Sequence, residues 1–285
     1  MQNNNVISPV ITNNNKPSGL WLHKLVLISV ASLLALPIIA TFLYSIASSW
    51  GATVLPDALS IKWYLQLWQD PRFLMAFGRS LIICFGTLLV STLIILPMTF
   101  AVFYRFPKFK GVMDLLIILP FAIPPVVSSV GLLQIFADEP FMLVGTPWIL
   151  IGTYFTITLP FMYRALANSF QGINLHDLMD AAHLLGASTF QAFMMIVLPN
   201  IRKGMLVSLL ISFSFLMGEF VFANILVGTR YETLQIYLFN MRQTSGHFTS
   251  ALVMSYFLFT LLLTWLAMRL NRSGDEWWVM LLRKT

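Results

Sequence analysis

Few side chains in this 285-residue chain are of a type and spacing that could do chemistry. The four histidines are His23, His176, His183 and His247. None is spaced as a metal-binding pair, and no H-E-x-x-H occurs. No G-x-x-x-x-G-K-[ST] loop is present to cradle nucleotide phosphates, and no G-x-S-x-G turn presents a serine nucleophile. A hydrolase working inside a membrane needs a nucleophile and a base at membrane depth, and no such pair stands out. Cys84 is the single cysteine, lies in an apolar run and has no second thiol to bridge to. Catalytic residues, cofactors and metals are therefore not expected, and His183 reads as a packing or interface residue.

What remains is a handful of polar groups inside apolar segments, where each is costly and points to function by default. Glu219 is the clearest. Counted from Met205, it lies ~21 Å into a helical span. Ser208, Ser212 and Glu219 fall at i, i+4 and i+11, one face of such a helix. Two readings stay open: this stripe lines a passage, or Glu219 is a buried structural acid held by an arginine or a backbone donor. Asp114 stands near the end of another span and reads as a headgroup-zone residue. Pro120, Pro124 and Pro125 predict a kink. Ser128, Ser129 and Gln134 follow it and are candidates for the same passage.

These residues need apolar helices to position them. The chain is 58% hydrophobic and 10% charged, with a mean hydropathy of +0.80. Soluble domains carry roughly a quarter charged residues, so a water-facing globule and a disordered chain are both excluded. Apolar runs of about twenty residues point to spanning helices rather than barrel strands of about ten. Six spans are expected: 25–47, 80–104, 113–136, 146–166, 205–228 and 249–270. Residues 1–19 are polar and read as a disordered cytoplasmic tail. Residues 20–272 read as one six-span domain, and residues 273–285, with Trp277 and Trp278, as an interfacial cytoplasmic tail. The net charge of +6 comes from basic residues scattered at segment ends, so nucleic acid is not an expected partner. Lys16, Lys24, Arg105, Lys108, Lys110, Arg164, Arg202, Lys203, Arg269, Arg272, Arg283 and Lys284 fall on one side, against Lys62, Arg72, Arg79, Arg230 and Arg242 on the other. The positive-inside rule then places both termini in the cytoplasm. The expected fold is an all-α membrane protein with six transmembrane helices.

One cytoplasmic loop is long, from about 171 to 203, and loops of that length are usually functional. Asn174 and Asp177 suit a helix start, Gly186 interrupts the helix, and a second helical stretch ends near Pro199. The loop reads as two short helices with an exposed apolar knuckle, which calls for a partner. Asp180-Ala181-Ala182, three residues, Gly186, nine residues, Ile196, one residue and Leu198-Pro199 resembles the E-A-A-x3-G-x9-I-x-L-P loop of permease subunits of binding-protein-dependent, type I ABC importers. The resemblance covers about Trp63 to Asn271. The family usually has Glu where this chain has Asp180, a side chain one methylene shorter with the same charge. Gly218-Glu219-Phe220 also resembles a G-E-F segment in some of these permeases, anion importers among them, so Glu219 does not imply a cationic substrate.

The resemblance implies a transport permease in an inner, cytoplasmic membrane, not an enzyme. Asp180, Ala181, Ala182, Gly186, Ile196, Leu198 and Pro199 would couple it to a separate cytoplasmic ATP-hydrolysing subunit. It would work with a second permease subunit, identical or related, and among membrane lipids. A periplasmic solute-binding protein would dock on the outer loops, Ser48 to Arg79 and Thr229 to Phe248. The solute expected is small and polar or charged, polyamine-like or phosphonate-like by similarity of span layout. An ion-gradient-driven secondary transporter or channel is the alternative, but it predicts matched inverted halves, and none is visible.

Overall fold

The computed structural model describes residues 20–51, 53 and 56–282, with side chains between residues 21 and 269. The expected tail over 1–19, and the side chains of the expected tail over 273–285, lie outside those residues. The described chain is almost wholly helical. Its one extended pairing among the described residues is an isolated bridge between Ala47 and Leu59.

Helix α1 runs Leu20–Ser45. A short α2, Lys62–Gln69, precedes α3, Pro71–Tyr104. The second span thus begins nine residues before the expected Ser80. Its start follows from local chemistry: Asp70 caps it by accepting from the Arg72 N–H at 2.8 Å, and Pro71 supplies a preset first turn. Next come α4 (Lys110–Leu116), α5 (Leu119–Ala122) and α6 (Pro125–Phe136). The third expected span is therefore broken, with a bend of 92° between its halves. Pro124 disfavours helical geometry at the residue before it, and Ile123 is extended at φ −108°, ψ 125°. Helix α7, Pro147–Gln171, runs straight through Pro160 and past the expected end at Leu166.

After α8 (Leu175–Leu184) and the single turn α9 (Thr189–Ala192), a π-turn over Phe193–Val197 leads into α10, Leu198–Met217. This corrects the expected layout twice. Pro199 does not end a second loop helix but stands in the first turn of α10, so the helix is continuous from Thr189 to Met217. The wide π-turn accommodates the missing proline N–H, and Asn200 Nδ2 donates to the Ile196 carbonyl at 2.8 Å. The fifth span also stops at Met217 instead of Gly228. Gly218 and Phe220 flank a break, and α11 (Val221–Leu226) sets off anew. Helix α12 is Leu234–Met241, and α13 runs Gly246–Leu282. By length and composition five helices could cross a membrane, or six if the bent pair is one span.

Helix α7 packs between α3 and α10, and α1 packs on α13. Ser91 and Thr158 share a 2.9 Å hydrogen bond inside the α3–α7 contact, where polar glue suits a low-dielectric setting. One apolar cluster, with Phe73, Ile83, Leu150, Phe213 and Tyr237, fills one end of the bundle. A second, with Ile95, Met162, Phe170, Met179 and Phe193, fills the other and carries α8 on it.

Candidate functional site

The α8–α9 knuckle is built by two capping motifs. Gly186 has φ +83°, a conformation that costs other residues a Cβ clash. Its N–H donates to the His183 carbonyl at 2.9 Å, and the Ala187 N–H donates to Ala182 at 3.0 Å. That pair is a Schellman motif closing α8. Two residues on, the Ser188 hydroxyl accepts from the Gln191 N–H at 3.3 Å, and Gln191 Oε1 accepts from the Ser188 N–H at 2.9 Å. This capping box starts α9. The S-x-x-Q spacing is visible in the sequence and is the signal that reading missed.

The knuckle exposes apolar side chains. Leu184 and Leu185 are 89% and 88% exposed, and Met195 76%; Phe190 is exposed beside them. Asp180, Ala181 and Gly186 are also exposed, whereas Ala182 is buried in the bundle with Leu175 and Met179. Of the alanine pair, then, only Ala181 reaches the surface, because α8 turns one face inward with i, i+3 and i+4 spacing. Ile196, Leu198 and Pro199 are half-buried, in the π-turn and the first turn of α10. The knuckle is tied to the end of α3. Phe100 and Phe193 rings lie 4.6 Å apart, Tyr104 is 5.6 Å from the His176 ring, and the Tyr104 hydroxyl is 3.4 Å from His183 Nε2. His183 Nδ1 lies 3.0 Å from the Ala187 carbonyl.

Glu219 sits in the break between α10 and α11. Its Oε1 accepts from the Phe222 N–H at 2.8 Å, and its Oε2 from the Ala223 N–H at 3.1 Å and the Tyr154 hydroxyl at 2.8 Å. The carboxylate satisfies N–H groups at the start of α11, which have no partner inside the helix, and ties that start to α7. Of the two readings open in the sequence, the backbone-held acid describes these bonds. Glu219 also faces a cleft of ≈ 460 Å³ lined by Pro120, Phe121, Pro125, Ser214 and Phe215.

The other expected passage residues are elsewhere. Ser208 and Ser212 are fully buried; Ser208 donates to the Met205 carbonyl at 2.7 Å, and Ser212 Oγ has no protein partner. Neither lines the Glu219 cleft, because the break at Gly218 ends the helical register that would align them. Ser129 is buried and bonds to the Pro125 carbonyl at 2.7 Å. Ser128 is half-buried and Gln134 exposed. Asp114 is exposed on α4.

At the opposite end from the knuckle, Arg72 makes a two-pronged pair with Glu232. Nε reaches Oε2 at 2.8 Å and Nη2 reaches Oε1 at 2.6 Å. Asn240 Nδ2 donates to Glu232 at 2.8 Å, and the Tyr237 hydroxyl donates to Asp70 at 2.5 Å. Burial pushes the Glu232 carboxyl up, but the bonds from Arg72 and Asn240 outweigh it and hold the group below its ordinary 4.5. This network ties α12 to the start of α3, a pairing the sequence did not announce.

Comparison with known proteins adds the following. Residues 93–273 match the family model described as "Binding-protein-dependent transport system inner membrane component". Sulfate permease 2 of the Chlamydomonas reinhardtii chloroplast is 27% identical over 258 residues, 84% of this chain and 67% of that protein. The Escherichia coli K12 spermidine/putrescine transport system permease protein PotC is 27% identical over 191 residues, 65% of this chain and 69% of that protein. A chain in the crystal structure of a bacterial ABC transporter involved in import of the acidic polysaccharide alginate superposes with a TM-score of 0.69. It covers 92% of this chain and 99% of that one at 15% identity, which establishes a shared fold.

Proposed function

From the premise that this chain belongs to the binding-protein-dependent transport system inner membrane component family, as a type I ABC importer permease, we propose how it is coupled, oriented and supplied. The α8–α9 knuckle is the contact for a separate ATP-hydrolysing subunit. Asp180 pairs with a basic group there, and Leu184, Leu185 and Ala181 pack into its groove. Gly186 holds the bend, and Ile196, Leu198 and Pro199 transmit the load, since α9, the π-turn and α10 form one continuous helix. Closure of two ATPase subunits then tilts α10 as a rigid body. The observation that carries this is the pair of almost fully exposed leucines on a doubly capped bend at one end of the bundle.

The knuckle end faces the cytoplasm of an inner membrane, a reading that the distribution of basic residues supports. The Arg72–Glu232 end then faces a periplasmic binding protein. A second permease subunit, identical or related, completes the passage. That passage includes the Glu219 cleft, with Ser128 and Gln134 as its continuation along α6; Ser208, Ser212 and Ser129 serve packing. The chain itself is given no catalytic role. Its solute is small and polar or charged. The spermidine/putrescine name of one relative supports a polyamine-like solute and the sulfate name of another an anion; a phosphonate-like solute is the further candidate. Thermal-shift screening of the cognate binding protein against putrescine, 2-aminoethylphosphonate and sulfate distinguishes them.

The coupling proposal is tested by co-purifying the permease with its ATPase in detergent and measuring uptake, with Gly186→Asp alongside. Loss of both in the variant is expected. Equal ATPase capture and uptake by the two proteins refutes it. An ion-gradient mechanism predicts instead that uptake survives ATP depletion.

A further inference from the structure

Helix α3 is gripped at both ends. At its C-terminal end Phe100 and Tyr104 stand one turn apart on the same face, with ring centroids 5.4 Å apart. That pair touches both arms of the knuckle. Phe100 meets Phe193 of the π-turn at 4.6 Å, and Tyr104 meets His176 of α8 at 5.6 Å. His183, in the last turn of α8, adds a polar tie. Its Nδ1 lies 3.0 Å from the Ala187 carbonyl, which can only accept, so Nδ1 carries a proton and Nε2 faces the Tyr104 hydroxyl at 3.4 Å. A hydroxyl both donates and accepts, so the tie holds in either protonation state of the imidazole.

At its other end α3 carries α12. The Arg72–Glu232 pair and the Tyr237 hydroxyl on Asp70 are two of the ties. Ser80 is a third. Its buried Oγ accepts at 2.8 Å from the Leu234 N–H, a first-turn donor that has no partner inside α12. Between these ends α3 is one helix of 34 residues, ~50 Å long, and Pro97 lies within it without ending it. Helix α10 also leaves the knuckle, but it stops at Met217, where the chain breaks. Of these two helices, α3 is the one that reaches the α12 end.

We propose that α3 is the rod that couples the two faces of the permease. On the function proposed above, on which this inference rests, the knuckle meets the ATPase and the α12 end meets the binding protein. Phe100, Tyr104 and His183 are positioning residues at the inner end of the rod, and Ser80 and Tyr237 at the outer end. A docked binding protein shifts α12, and α3 passes the shift to α8 and the π-turn. Closure of the ATPase acts back along the same helix, because coupling between two binding sites is reciprocal.

The test measures the affinity of the permease–ATPase complex for its cognate binding protein, without nucleotide and with the ATPase trapped by ATP and orthovanadate. The ratio of the two affinities is the coupling. An outer variant, Ser80→Ala with Tyr237→Phe, removes two ties; both residues are buried, so the docking surface is unaltered. The inner variant is Tyr104→Ala. Each is expected to lower the ratio by about fivefold, the low end of such couplings. Combining the two lowers it no further, since either one cuts the same rod. Tyr104→Phe keeps the ring contacts and most of the ratio. Melting temperatures within a few degrees of wild type, with ATPase capture retained, show that the variants are folded and assembled. Losses that multiply in the combined variant overturn the proposal, because independent sites this far apart are additive in free energy. So does a wild-type ratio of one, a wild-type ratio in either variant, or loss of ATPase capture by Tyr104→Ala, which makes Tyr104 part of the docking surface. Capture and uptake preserved in Gly186→Asp, a separate assay, refute the knuckle reading itself.

Discussion

Glu219 holds the start of α11 through two backbone N–H groups and holds α7 through Tyr154. A glutamine there keeps the shape but turns an amide N–H toward backbone donors. Glu219→Gln is therefore expected to destabilise the permease by ~1–3 kcal/mol, the cost of leaving buried donors unmet. Tyr154→Phe, which removes one bond of three, is expected to cost about 1 kcal/mol. Detergent melting curves measure both; an unchanged Glu219→Gln midpoint contradicts the clamp. Glu232 carries the pH dependence. Its folded-state pKa is held below 4.5, so its pair with Arg72 stabilises the protein above that pH and the contribution is lost as pH falls through the folded value. Arg72 is 46% exposed, so the pair is worth under ~1 kcal/mol. The wild type should lose more melting temperature between pH 6 and pH 3 than Glu232→Gln, and parallel losses would remove Glu232 from the account. The sequence marked Glu219 as unusual but not its partners. Tyr154 is 65 residues away and Arg72 is 160 residues from Glu232, and no local pattern encodes such pairs.

Among the elements, the knuckle was legible because its signals are local. Gly186 follows Leu185 at the point where α8 ends and was read as the interruption; the Ser188–Gln191 capping box, an equally local signal, was missed. Substituting Ser188 by Ala is expected to cost ~1 kcal/mol and loosen α9. Gly186→Val should cost more, because a β-branched residue is forced to positive φ. Hydrogen exchange across α8 and α9 reads both; protection equal to wild type in Gly186→Val would show that the bend does not depend on the glycine. A second glycine matters by proximity. A Cβ on Gly204 would lie 1.7 Å from Ser169 Oγ and 3.0 Å from Ser169 Cβ, so α10 and α7 cross there without room for a side chain. Gly204→Leu is expected to lower the melting midpoint by several degrees. Where elements were misjudged, helix continuity was the cause. Pro199 was read as a stop, but it opens α10, because a helix among other helices can satisfy the freed carbonyls. Conversely, the apolar run through Gly218 looked continuous, and the chain breaks there.

For the whole molecule, the long exposed apolar helix faces are consistent with a multi-pass membrane protein. Alkaline phosphatase fused after Thr244 should be active and a fusion after Lys203 inactive, if the knuckle faces the cytoplasm. The reverse pattern would invert the proposed membrane orientation and displace the ATPase contact with it. Six apolar runs, the asymmetry of the basic residues and the spaced loop from Asp180 to Pro199 are properties of composition and local order. From these the sequence by itself determined a helical membrane protein of the importer-permease kind. The tertiary structure alone decided that the third span bends by 92°, that Glu219 clamps a break instead of lining a helix face, and that Ala182 turns inward. Those outcomes depend on which backbone groups find partners across the bundle, and the partners come from helices far apart in sequence.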